Sequence, residues 1–301
     1  AYTRSLVQAI PRLATGQRRR VDPSGSPLLR VDQVSFGYTA PGLFRTKPGP
    51  LALRDISLDL HAGETLGIVG ESGSGKSTLA SLISGEVAGH SGEITLDDAP
   101  LAGLAKTRSK GQRQRVQMVF QDTLSSLNPT HNVENILTRP LRICFGQSAA
   151  EARENAVALL AEMDLGPEFL ARYPRQMSGG QQQRIALARA LAAKPDVLLC
   201  DEITSALDLT TQAQVIALLQ RLQAQRGLGI LFITHDLALV SQVAQRLLVL
   251  EQGERRERGE TAAILTNPQS PYTAALLAAY SAQTAKDGDR VGATGALEAA
   301  I

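Results

Sequence analysis

The run Gly70-Glu71-Ser72-Gly73-Ser74-Gly75-Lys76-Ser77-Thr78 constrains this chain more than any other segment. It follows an apolar stretch, Thr65 to Val69, that reads as a buried strand. It precedes Leu79 to Ile83, which reads as the start of a helix. A strand, a glycine-rich turn and a helix in that order build a phosphate-binding loop. Glycines let backbone N–H groups turn inward around an anion, and the helix N-terminus adds a partial positive charge. In such a loop Lys76 reaches the outer phosphates and the Ser77 hydroxyl holds Mg2+. A Gly/Ser turn beside a stray lysine is the bland alternative, and both spacing and flanks disfavour it. The expectation is a chain that binds a nucleoside triphosphate.

A length of 301 residues allows one large domain or two small ones. A hydrophobic content of 43% with 20% charge is ordinary for a soluble globular chain. The net charge of +2 does not announce a nucleic-acid partner. The short run Arg18-Arg19-Arg20 lies in a polar stretch and reads as solvated linker. Cys144 and Cys200 are far apart, without metal-ligand spacing, and fit a reducing compartment better than a disulfide framework. No apolar run approaches the ~18 residues of a spanning helix. No signal peptide is visible. A membrane role must therefore come through partner subunits.

The opening Tyr2-Thr3-Arg4-Ser5-Leu6-Val7-Gln8-Ala9 echoes Tyr272-Thr273-Ala274-Ala275-Leu276-Leu277-Ala278-Ala279. Repetition at this spacing makes residues 1–13 the expected tail of a preceding copy of the same domain. Two unrelated Tyr-Thr helices are the other reading. Residues 14–27, rich in Gly, Arg, Pro and Ser, read as a linker. The expectation is the second half of a tandem protein.

Beyond the linker, Leu28 to Val34 and Leu51 to Leu60 read as strands. The stretch between, Thr39 to Pro50, holds three prolines and two glycines and is expected to be a loop. Glu93 to Leu96 and Val116 to Phe120 are further short strands. Ala149 to Met163 is an amphipathic helix with Ala156, Leu159, Leu160 and Met163 on one face. With a second helix at Gln181 to Ala192, it marks a mostly helical insert over about residues 122–190. Val197 to Cys200 and Ile230 to Ile233 read as strands buried on both faces, which implies a parallel sheet flanked by helices. Ser281 to Ile301 is small and polar, and poor order is expected there.

Asp201-Glu202 ends the first of those two strands. A carboxylate there, in a phosphate-loop protein, can hold Mg2+ or its water shell, and Glu202 can orient or deprotonate water. Capping of the following helix is the structural alternative. Ser178-Gly179-Gly180-Gln181 precedes the Ala/Leu-rich helix and offers a second anion site, although a helix N-cap at Ser178 explains it equally.

Together these motifs resemble the ATP-binding-cassette (ABC) ATPase family, over residues 28 to about 280. The resemblance implies an α/β phosphate-loop cassette. It has a parallel sheet core like that of RecA, an antiparallel β subdomain and an α-helical subdomain, over residues 28–266. Residues 267–301 follow as a C-terminal extension. Tyr38 matches the aromatic that stacks on adenine, and Gly70, Ser72, Gly73, Ser74, Gly75, Lys76, Ser77 and Thr78 match the phosphate loop. Gln121 matches the glutamine that links Mg2+ to the membrane subunits, so that Ser77, Gln121 and Asp201 form the implied Mg2+ set. Ser178 to Gln181 match the signature, and Ser205-Ala206-Leu207-Asp208 the loop that crosses between two cassettes. His235 matches the switch histidine that senses the γ-phosphate, which makes Glu202, His235 and Gln121 the implied catalytic group. Met177 stands where leucine is usual, and Ile203 where proline is common; neither removes a catalytic group.

Phe120 to Pro129 and Asn267 to Thr273 further resemble elements of the peptide and nickel importer subfamily. That resemblance implies ATP and Mg2+ as cofactors and a second cassette closing head to tail, expected in the same polypeptide from the echo above. It implies two transmembrane permease subunits and an extracytoplasmic solute-binding protein. The implied place is peripheral, on the cytoplasmic face of the cell membrane, with no nucleic acid. Peptide import is the first expectation and nickel or a metal chelate the second. A soluble tandem ABC protein acting on ribosomes is the reading from a different class, but residues 14–27 lack the long charged linker of such proteins. DNA-repair relatives carry coiled-coil or zinc inserts; the interval from Gln121 to Ser178 is too short for a coiled coil, and the sequence has no cysteine cluster.

Overall fold

The structure, a computed structural model, describes residues 25–40, 47–122 and 126–282. The two Tyr-Thr segments therefore differ in standing. Residues 1–13 and most of the linker lie outside the described residues, as do 283–301 of the stretch Ser281 to Ile301 expected to be poorly ordered; Ser281 and Ala282 are helical.

Two sheets organise the described chain. β1 (Leu29–Ala40), β2 (Lys47–Leu60), β4 (Ser91–Leu96) and β5 (Ala99–Pro100) form an antiparallel sheet in the order β2-β1-β4-β5. The second sheet contains β3 (Thr65–Val69), β6 (Val116–Val119), β7 (Val197–Asp201), β8 (Gly229–Ile233), β9 (Arg246–Glu251) and β10 (Glu254–Glu260). Its order is β10-β9-β3-β8-β7-β6, parallel throughout except for the antiparallel β9–β10 hairpin.

One expectation is corrected here. Thr39–Ala40 and Lys47–Pro50 are strand, not loop, with Thr39 paired to Pro48 and Ala40 to Lys47. The prolines misled because they are poor strand formers. β2, however, lies at the edge of its sheet, where a missing N–H interrupts no ladder on its outer side.

The central strands are buried along their whole length, and their alternate residues enter two different cores. Leu66, Ile68, Leu199, Leu231 and Ile233 pack toward the antiparallel sheet and α1 (Lys76–Ser84). Leu198, Cys200, Ile230 and Phe232 pack toward the helices on the other side. Those helices include α3 (Val133–Phe145), α4 (Ala149–Glu162) and α5 (Gly179–Ala192), which follow the short α2 (Lys110–Arg115). The helix read at 149–163 is present, with Ala152, Ala156, Leu159, Leu160 and Met163 buried. A Ser148–Glu151 capping box starts it. The sequence reading had no separate place for α3, whose Pro140 breaks the helical pattern; its Val133, Ile136, Leu137 and Leu141 nonetheless form one buried stripe. α6 (Leu209–Arg226), α7 (Leu237–Val243), α8 (Thr261–Thr266) and a helix at 271–282, α9, complete the described fold.

A partly buried ion network ties the two sheets together. Arg246 on β9 bonds Glu64 and Asp59, Arg258 on β10 bonds Asp59, and Glu64 is fully buried. Burial alone would raise the Asp59 carboxyl, but Arg258 and Arg246 outweigh it and hold the group down at about 2. A depressed acid stabilises the fold above its unfolded value and loses that contribution as pH falls through its folded one. Asp59 therefore contributes stability at neutral pH that disappears between about pH 4 and pH 2. Asp59→Asn is expected to lower the denaturant midpoint at pH 7, with the difference from wild type shrinking toward pH 2; equal midpoints at pH 7 would remove Asp59 from this role.

Candidate functional site

The parallel strands all point their carboxyl ends to one edge, and the motif residues leave from there. β3 delivers the glycine loop, β6 delivers Gln121, β7 delivers Asp201-Glu202 and β8 delivers His235. The crevice outside the carboxyl ends of parallel strands is the usual ligand position in open α/β sheets.

The loop's shape depends on its glycines. Gly75 has φ 101°, a left-handed conformation, and a Cβ there would lie 2.7 Å from the Ala52 carbonyl oxygen. Only glycine takes that φ beside that neighbour without strain. Lys76 follows at the first turn of α1 and is 5% exposed. Its Nζ donates to the carbonyls of Gly70 and Glu71, both at 2.8 Å, and to Ser74 Oγ at 3.3 Å. The ammonium thus lies across the mouth of its own loop. Burial lowers its proton affinity, while the charges of Glu202 and Asp201 raise it.

Asp201 is nearly buried at the end of β7. Burial pushes its carboxyl up; a hydrogen bond from Ser77 and the charge of Lys76 work the other way, and Glu202 and Glu86 add to the rise. Its Oδ1 is buried and has no hydrogen-bond partner among the described residues. A buried, charged oxygen left without a donor is costly, and a cation or its water shell would relieve it.

Glu202 is the hub. Its Oε2 accepts from Gln121 Nε2 at 2.7 Å, and its Oε1 lies 3.2 Å from His235 Nδ1. Its backbone sits at φ 46°, strained for a residue with a side chain, and is pinned by its N–H donating to the Ile233 carbonyl at 3.0 Å. Three strands thereby hold one carboxylate between an amide and an imidazole. Tyr38, 53% exposed, places its hydroxyl 3.2 Å from Thr78 Oγ1, so the aromatic stands beside the start of α1.

Comparisons with known proteins bear on this geometry. The family described as "ABC transporter" matches residues 53–205, a span that holds the glycine loop, Gln121, Ser178 to Gln181 and Asp201-Glu202. This chain belongs to the ABC transporter family. A second family, "Oligopeptide/dipeptide transporter, C-terminal region", matches residues 257–300 of this ABC cassette. The cassette is 46% identical over 257 residues to the oligopeptide transport ATP-binding protein OppF of Haemophilus influenzae, covering 84% of this chain and 77% of that one. It is 42% identical to the uncharacterized ABC transporter ATP-binding protein YejF of Escherichia coli over 92% of its own length, and spans about half (52%) of that relative. Among solved structures, the dimeric post-hydrolysis state of the ATP-binding cassette MJ0796 bound to ADP and Pi superposes with a TM-score of 0.68. That match has 30% identity and covers 77% of this chain and 98% of that one.

Not every motif of the ABC cassette joins the cluster. Ser178 caps α5: its Oγ accepts from Gln181 N at 3.3 Å, and Gln181 Oε1 accepts from Ser178 N at 3.0 Å. Gly180 must be small, because a Cβ would meet Thr211 Cγ2 of α6 at 2.3 Å. Asp208 caps α6 through Thr210 N and Thr211 N, and Thr211's hydrogen bonds hold its carboxyl below the usual range. Among the described residues no hydrogen bond links Ser178 or Asp208 to Lys76, Asp201 or Glu202. Sequence reasoning also missed two contacts from α9. Tyr272 reaches the glycine loop and Tyr280 reaches Asp236, beside His235.

Proposed function

We propose that this ABC cassette is the ATPase subunit that energises import of oligopeptides or dipeptides through a membrane transporter. The match of residues 257–300 to the oligopeptide/dipeptide transporter C-terminal region carries the substrate class. The cluster around Glu202 supports the chemistry.

In this reading Tyr38 stacks on adenine, while Gly70 to Thr78 and the N-terminus of α1 hold the phosphates. Lys76 exchanges its loop carbonyls for the β- and γ-phosphate oxygens. The orphaned Asp201 Oδ1 fits a divalent cation, so Asp201, Ser77 and Gln121 would hold Mg2+, which neutralises phosphate charge when bound. Glu202 accepts a proton from the attacking water, and Gln121 and His235 fix the carboxylate's direction. His235 faces the γ-phosphate.

Ser178 to Gln181 present the N-terminus of α5 outward, as an anion site for a nucleotide bound to a second cassette, and Asp208 reaches the same junction. The echo of Tyr272-Thr273 in Tyr2-Thr3 motivates placing that second cassette in the same polypeptide. ATP binding favours the closed pair and hydrolysis reopens it. The segment from Asp122 to Pro129, of which residues 123–125 lie outside the described ones, passes this motion to two permease subunits. The cassette then sits peripherally on the cytoplasmic face of the membrane, in a system served by an external solute-binding protein. Among the described residues no helix is long and apolar enough to cross a membrane.

Asp201→Asn is expected to raise the Mg2+ concentration needed for half-maximal hydrolysis by at least about tenfold, the scale on which even outer-shell partners matter. An unchanged Mg2+ dependence would take Asp201 out of the set. The substrate class is tested by ATP hydrolysis in proteoliposomes carrying the whole transporter. Stimulation by short peptides with their binding protein is expected; stimulation by nickel or a nickel chelate alone would replace peptide with metal.

A further inference from the structure

The helix α9 lies far from the glycine loop in sequence, yet it touches both that loop and the residue after His235. Its Tyr272 hydroxyl accepts a hydrogen bond from the Glu71 N–H at 3.3 Å, across 201 residues. Glu71 N–H belongs to the same peptide group as the Gly70 carbonyl, which accepts from Lys76 Nζ at 2.8 Å. The N–H and C=O of a trans peptide point in opposite directions. Tyr272 and Lys76 therefore grip one peptide plane from its two sides.

The far end of the same helix repeats the arrangement at the switch. The Tyr280 hydroxyl donates to Asp236 Oδ1 at 3.2 Å. Asp236 directly follows His235, and its Oδ1 also accepts from Ala238 N at 2.8 Å and Leu239 N at 3.1 Å, capping α7. The start of the helix is itself anchored. Glu257 on β10 accepts from Gln269 N and Ser270 N, at 2.9 and 3.2 Å. Tyr272, Leu276, Leu277 and Tyr280 pack against the larger core.

We infer that α9 is a brace that sets the geometry of ATP hydrolysis, with Tyr272 and Tyr280 as positioning residues. Tyr272 fixes the loop peptide that seats Lys76, and so governs nucleotide affinity. Tyr280 fixes the cap after His235, and so governs the chemical step. Neither hydroxyl touches a reacting atom. Because each tyrosine ring packs against the core, Tyr→Phe keeps the packing and removes the hydroxyl with the hydrogen bonds it makes. The inference rests on the ATPase reading above.

The test compares Tyr272→Phe and Tyr280→Phe with wild type in the full chain, by ATP affinity, by kcat and KM for ATP, and by melting temperature. Tyr272→Phe is expected to weaken ATP binding about three- to tenfold at near-constant kcat, the scale of one hydrogen bond. Tyr280→Phe is expected to lower kcat by a similar factor at near-constant KM. Melting temperatures close to wild type would show that folding is intact. Should a phenylalanine variant prove unstable, Glu257→Gln, which weakens the anchor and leaves both tyrosines in place, is expected to shift KM and kcat together. Wild-type affinity and kcat in both phenylalanine variants would overturn the brace. Failure of the wild-type chain itself to bind or hydrolyse ATP would instead overturn the ATPase reading.

Discussion

Glu202→Gln is expected to bind ATP as wild type does and to hydrolyse it about 10²–10⁴ times more slowly, the usual contribution of a positioned base. The reason lies in what the substitution keeps. Glutamine preserves the volume and an oxygen acceptor, and the strained backbone at φ 46° stays pinned to Ile233. What is lost is the capacity to take a proton from water. The loss of about 3–5 kcal/mol in barrier stabilisation should fall on kcat and leave affinity nearly untouched. The measurement is single-site turnover, with any second cassette disabled so that its activity cannot mask the effect. Unchanged turnover would remove Glu202 from the chemistry, whatever its neighbours.

Lys76→Ala should show the opposite signature, a loss of binding. The ammonium is nearly buried and is the one charged donor bonded to the carbonyls of Gly70 and Glu71 among the described residues. Its removal deletes the cation that meets the phosphates and leaves those two carbonyls without this donor. Charge-assisted hydrogen bonds are worth about 1.5–3 kcal/mol each, so ATP affinity should fall at least about tenfold. Titration of the purified chain with a fluorescent ATP analogue checks it, and equal affinity in variant and wild type would exclude Lys76 from the phosphate site. The pH dependence follows the same cause. Burial lowers the proton affinity of Lys76, partly offset by Glu202 and Asp201. ATP affinity should therefore decline with rising pH at a lower pH than an exposed lysine would give, and Lys76→Arg should flatten that decline.

Much of this site was legible because its residues cluster in short runs. The glycine loop and Asp201-Glu202 each sit at the end of a strand, and strands buried on both faces announce themselves as unbroken apolar runs. What joins those runs was not legible. The hydrogen bonds from Gln121 and His235 to Glu202 span three strands that the sequence separates by 81 and 33 residues. They exist because the parallel sheet brings the carboxyl ends of β6, β7 and β8 together. The β1–β2 hairpin was misread for a related reason: proline content is a local signal, whereas tolerance of proline depends on lying at a sheet edge. Likewise Tyr272 stood out in the sequence as part of Asn267 to Thr273. Nothing local could tell that its hydroxyl would meet Glu71.

The most direct test of the whole account is purification of the native full-length protein from detergent-solubilised membranes, with its partners identified. Recovery with two polytopic permease subunits, and with an external binding protein that carries peptide, is the predicted result. Recovery with ribosomes or DNA and no membrane partner would contradict the import reading, while leaving the ATP chemistry of Lys76, Asp201 and Glu202 to be judged on its own variants.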